Sequence, residues 1–233
     1  MHDEPSWMQA FLAVHVAAGT SCLVLAPLVV TFTKGGARHR RWGKIYFWSM
    51  GAVAATALPM ALFRPVLFLA LVAVLSFYLT FSGYRVLRLK NLPTGGSAEP
   101  IDWAAAALTF VACGCLAGFG LFRSSWVQHM GIVAIVLGAL GMRGTAADLY
   151  RFAHRPTQRM FWLYVHLEKF IGSYIAIWTA FSVVTLSQLF HHAGLAIWLW
   201  PTAVGVPAIA ATVAYYRYKY AVTAPYKSTG LQA

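Results

Sequence analysis

Short polar turns divide the chain into seven apolar stretches, at about Trp7–Thr33, Gly43–Phe63, Val66–Leu87, Asp102–Phe122, Ser125–Leu149, Arg159–Phe190 and Leu195–Tyr218. Each is close to or beyond the ~20 residues that carry a helix through the hydrocarbon core of a bilayer. Lipid offers no partner to an open backbone, so each stretch is expected to be a helix with its hydrogen bonds closed internally. The fold expected is all-α: one polytopic membrane domain over residues 1–233, a bundle of seven transmembrane helices. Only 10% of the residues are charged, against the ~25% of a water-soluble domain.

The formal net charge of +12 would suggest nucleic acid in a soluble protein. Here the basic residues fall in short turns between spans, which makes them topology signals and argues against nucleic acid as a partner. The three cysteines, Cys22, Cys113 and Cys115, all lie within apolar stretches and form no disulfide framework. The thiols of Cys113 and Cys115 point to different sides of a helix, about 200° apart, which is no metal site. The segment Met1–Pro5 is acidic and lacks a basic leader, so the first span is expected to act as an uncleaved insertion signal.

The densest basic stretch, Gly35–Lys44, contains Arg38, His39, Arg40, Arg41 and Lys44. It lies between the first two spans and is expected to form a tight turn. Arg85, Arg88 and Lys90 follow the third span. Arg143, Arg151, Arg155 and Arg159 belong to the exit of the fifth, and Arg217, Lys219 and Lys227 to that of the seventh. Turns on the other side hold only Arg64 and Arg123, with His191 and His192. The positive-inside bias then places the N-terminus outside and the C-terminus in the cytoplasm. Trp7, Trp42, Trp103, Trp126, Trp162, Trp198 and Trp200 fall near span ends, as an aromatic belt does.

A weaker basic stretch, Arg151–Arg159, repeats the first. His15 precedes His39 by 24 residues and His129 precedes His154 by 25. These spacings suggest a 3+1+3 internal repeat, with halves at about 7–90 and 125–220 and a linking span at about 102–122. Halves so arranged would be parallel repeats about an axis along the membrane normal.

At His39-Arg40-Arg41-Trp42-Gly43-Lys44-Ile45-Tyr46 the sequence resembles a family of bacterial polytopic membrane proteins of unassigned activity. That family is marked by a His-Arg-x-x-Gly-x-x-Tyr turn after the first span and by a histidine inside that span, here His15. The resemblance covers the first three spans and implies a bacterial inner-membrane protein. The second half departs from it: Pro156 and Thr157 follow His154-Arg155, with no glycine at the matching place.

Ionisable groups inside a span are costly and mark function. The candidates are His15, His129, His166, Glu168 and Lys169. If the repeat brings His15 and His129 together, their imidazoles would serve as axial ligands of a haem b iron. His166, with Met50 as its counterpart, would then hold an inner haem, completing a transmembrane electron-transfer chain to a quinone or redox partner protein. Against this stands the plainer reading, in which each histidine bonds a neighbouring helix and Met50 only fills the core. Glu168 and Lys169 splay by about 100° and are candidates for a proton relay. Arg38, His39, Arg40 and Arg41, with His154 and Arg155, would bind an anion or lipid headgroup.

These residues support three functions: a b-haem membrane oxidoreductase or electron carrier, a small-molecule transporter or ligand-binding membrane protein, or an accessory subunit of a larger membrane complex.

Overall fold

The computed structural model describes residues 5–63, 67–122, 128–158, 160–189 and 194–222. It is all-helical over those residues, with seven helices long and apolar enough to cross a membrane. They are α1 (Ser6–Thr31), α2 (Ala37–Phe63), α3 (Leu67–Arg85), α4 (Pro100–Phe122), α5 (Gln128–Ala153), α6 (Phe161–Phe181) and α8 (Gly194–Val222). A π-helical segment (Ser182–Leu186) and the short α7 (Ser187–Leu189) prolong α6. The protein is therefore a multi-pass membrane protein, embedded in lipid through this bundle.

The expected turn at Gly35–Lys44 is mostly helix. Lys34–Gly36 make the turn, with Gly35 at φ 74°, a left-handed conformation that glycine adopts without strain. The Gly36 amide donates to the Thr33 carbonyl at 2.9 Å. From Ala37 the chain is α-helical, so Arg38, His39, Arg40 and Arg41 form the first turns of α2. Pro27, Pro59, Pro201 and Pro207 lie inside their helices; neighbouring helices and local adjustments make proline tolerable in a membrane span.

Contacts between helix ends define the two faces of the bundle. At one end, the start of α2 meets the start of α6 through the His39 and His166 rings, 6.4 Å apart. There also the end of α3 meets the start of α4 through Arg85 and Asp102. Arg217 of α8 lies over the Tyr164 ring of α6 at 5.3 Å. We refer to this as the basic end. At the opposite end Trp7 meets Phe63 at 5.0 Å and Phe68 meets Trp198 at 5.7 Å.

The most extensive helix pairing is α4 with α5, followed by α1 with α2 and α6 with α8; α3 packs on α2, α4 and α6. Small residues permit these approaches, as membrane packing without a hydrophobic driving force requires. A β-carbon on Gly138 would stand 2.7 Å from the Cys113 carbonyl oxygen of α4, and one on Gly83 of α3 would stand 2.8 Å from the Lys169 β-carbon of α6. The pairings lend no support to a 3+1+3 repeat. Its second half should pair α5 with α6 as α1 pairs with α2, yet among the described residues α5 packs chiefly on α4.

Candidate functional site

The α3–α6 crossing is tight at Gly83, near the basic end. A central cavity of about 540 Å³ is walled by α1, α2, α3, α5, α6 and α8. That volume lies within the ~300–1,000 Å³ of small-molecule sites. Its walls are mainly Leu, Val, Ala, Ile and Met side chains, and it carries a few polar groups: His15, Ser76, Arg143, Glu168, Lys169, Thr179 and Thr202. The π-helical segment contributes Val183 and Val184 to the wall. Its Ser182 accepts a hydrogen bond from the Trp200 indole of α8 at 3.0 Å. Such π segments recur at functional sites.

Arg143, Glu168 and Lys169 lie at the floor, toward the basic end. Lys169 is only 2% exposed and does not reach the interface. Its ammonium pairs with the Asp148 carboxylate of α5 at 2.5 Å and lies 5.0 Å from the Tyr78 ring centroid. Asp148 also accepts from the Tyr78 hydroxyl at 2.6 Å and from Arg151 at 2.6 Å. A buried charge requires a partner, and one carboxylate here serves two cations and a phenol. Asp148 was absent from the candidates drawn from sequence. The signal available was an acid next to the end of an apolar stretch, in a chain with only six acidic residues. Arg143, expected at a basic exit, is instead inside α5 and on the cavity wall.

Beyond Asp148, toward the basic end, a void of about 20 Å³ is bordered by Tyr78, Arg85, Asp102, Asp148 and Arg151, room for a single water. Arg85 binds Asp102 through both carboxylate oxygens, at 2.7 and 2.8 Å, and Glu99 at 3.0 Å. This fork closes the α3–α4 connection.

The histidines divide between these regions. His15 lines the cavity, with Nδ1 donating to the Val53 carbonyl at 3.1 Å and to the Thr56 hydroxyl at 3.0 Å. The Thr56 hydroxyl in turn donates to Ala52. A ligating histidine is usually fixed in this way, with Nε2 left for the metal. The side chain of His129 lies outside the described residues, as do Arg64, Arg123, Arg159, His191, His192 and Lys227. His15 is thus the single imidazole of the cavity among the described residues. Met8, Met50 and Met60 also line the cavity.

His166 lies one helical turn nearer the basic end than Lys169 and does not line the cavity. Its Nδ1 donates to the Gly83 carbonyl at 2.9 Å and its ring packs on Phe170 and His39. Met50, its expected partner, belongs to a different cluster with Cys22, Leu25, Tyr46 and Ile177. His39 donates through Nδ1 to the Val29 carbonyl at 3.2 Å. Lys34 lies between spans and donates to the Val30 carbonyl at 2.5 Å; partial burial lowers its pKa. His154 stacks on Tyr150 at 4.4 Å. Arg155 and His154 lie beyond α5, which forms no extensive contact with α2. Among the described residues no group of three or more His, Cys, Asp or Glu side chains is placed to hold a metal ion.

Comparison with protein-family models, curated proteins and solved structures finds no match to this chain.

Proposed function

We propose that this is a bacterial inner-membrane protein, N-terminus outside and C-terminus cytoplasmic, that binds or carries a small, largely apolar molecule in its central cavity. The observation that carries this reading is the cavity of about 540 Å³ with apolar walls and a floor of Arg143, Glu168 and Lys169. Apolar walls with a few convergent polar groups describe a ligand site. The charged floor supports it further, because ionisable residues kept inside a membrane mark a substrate or ion path. The orientation rests on the basic turns, and the bacterial origin on the resemblance of His39–Tyr46.

The test is a ligand-induced thermal shift. Octanol should raise the melting temperature of the detergent-solubilised protein, and Ala176→Phe, which fills the cavity wall, should abolish the rise. An equal shift in both proteins would sink the reading.

A second reading is favoured by His15. With Nδ1 held by Val53, its Nε2 is the nitrogen available to a haem b iron, and haem would supply one-electron chemistry to a quinone or redox protein partner. Protein from haem-replete cells would then show a Soret band that shifts on reduction and is lost in His15→Ala. A colourless preparation contradicts it.

A further inference from the structure

We propose that the ligand of the cavity is an amphiphilic anion, its apolar body against the walls and its carboxylate on Lys169. The inference rests on the reading of the cavity as a ligand site and adds the ligand's charge.

The argument is one of charge and donor count. At the floor and directly behind it stand Lys169, Arg143 and Arg151, with Asp148 and Glu168. Three cations against two carboxylates leave an excess of one positive charge. The groups facing Lys169 from other helices do not cancel it. Tyr78 of α3 is a phenol whose proton is donated to Asp148. Arg85 is already matched by Asp102. The carboxylate of Glu99, the remaining acid among the described residues, has a side chain 60% exposed to solvent, where water screens it.

Lys169 also has a donor to spare. An ammonium carries three N–H groups. One goes to Asp148 and a second points at the Gly144 carbonyl, at a distant 3.5 Å. Among the described residues the third finds no oxygen acceptor, only the Tyr78 ring face 5.0 Å from the ammonium, and Lys169 borders the cavity while Asp148 does not. A ligand carboxylate can therefore join Lys169 without breaking the pair behind it, since Asp148 keeps Arg151. No proton need move. The length of the cavity, from Lys169 to Met8 and Trp198 near the opposite end, suits an unbranched aliphatic or similarly slender body.

The test compares octanoate, octanol and octylamine, which share a tail and differ in head-group charge, by thermal shift on the full chain in neutral detergent. Octanoate should bind about tenfold or more tightly than octanol, the worth of one charge-assisted hydrogen bond. Lys169→Gln should erase that preference. Asp148→Asn keeps the shape but removes the competing negative charge, so it should widen the preference. Because the two variants act in opposite directions, general damage to the fold cannot imitate both. Equal binding of octanoate and octanol, or tighter binding of octylamine through Glu168, overturns the anion assignment while leaving the cavity reading in place. If none of the three binds, both fail.

Discussion

The approach of α4 to α5 gives the sharpest stability prediction. Gly138 faces α4 so closely that an added β-carbon would stand 2.7 Å from both the Ala117 amide nitrogen and the Cys113 carbonyl oxygen, and 2.9 Å from the Ala117 β-carbon. Two of these three atoms are backbone, so no side-chain rotation relieves the clash; the helices must part. Gly118, on α4 itself, has nothing within 4 Å of the equivalent position. Alanine replaces glycine in a helix with a gain of up to about 1 kcal/mol in propensity, common to both sites. Overpacking costs about 1–3 kcal/mol and applies only to Gly138. The two alanine variants should therefore differ in stability by about 1–3 kcal/mol, with Gly138→Ala the weaker. Parting by even half an ångström to an ångström also forfeits roughly a quarter to a half of each interhelical dispersion contact. The assay is reversible unfolding in mixed micelles, with both variants beside the parent. Equal stability of Gly138→Ala and Gly118→Ala would refute the packing described for this helix pair.

Other perturbations probe the polar interior. Asp148→Ala strands Lys169, Arg151 and the Tyr78 hydroxyl together and should cost about 3–5 kcal/mol, as loss of one partner of a buried pair does. Adding Lys169→Met should recover part of that loss, so a double-mutant cycle by the same unfolding assay should show strong coupling; additive effects would contradict the pairing. Arg85→Lys removes the fork on Asp102 while keeping the charge and should cost about 1.5–3 kcal/mol, the worth of a hydrogen bond to a charged group. An unchanged unfolding midpoint would mean that this fork does not hold the α3–α4 connection.

The number and order of the spans were legible because each apolar stretch carries its own length signal. The start of α2 was not. Arg38–Arg41 looked like a turn because basic residues punctuate membrane sequences, but Lys34–Gly36 complete the reversal and leave the charges on the first turns of a helix. The cavity was illegible for a related reason: helices apolar on every side do not declare which face meets a gap. Lys169 stood out in sequence as a charge within a span, whereas its partner Asp148, 21 positions earlier, lay beside an assumed span end and passed as a boundary residue. The meeting of His39 with His166 joins α2 to α6 across most of the chain, and nothing local in either helix specifies it. His15 was found in sequence as an intramembrane histidine, and the structure adds its cavity position and the carbonyl that orients it.

The most direct measurement of the central claim is photolabelling of the full chain in lipid nanodiscs with an aliphatic diazirine carboxylate, followed by peptide mass spectrometry. The account predicts adducts on wall residues such as Met50, Ala54, Leu75 and Ile177, suppressed by excess octanoate. Labelling confined to outward residues such as Trp48, Leu108 and Phe122, unaffected by octanoate, would contradict it.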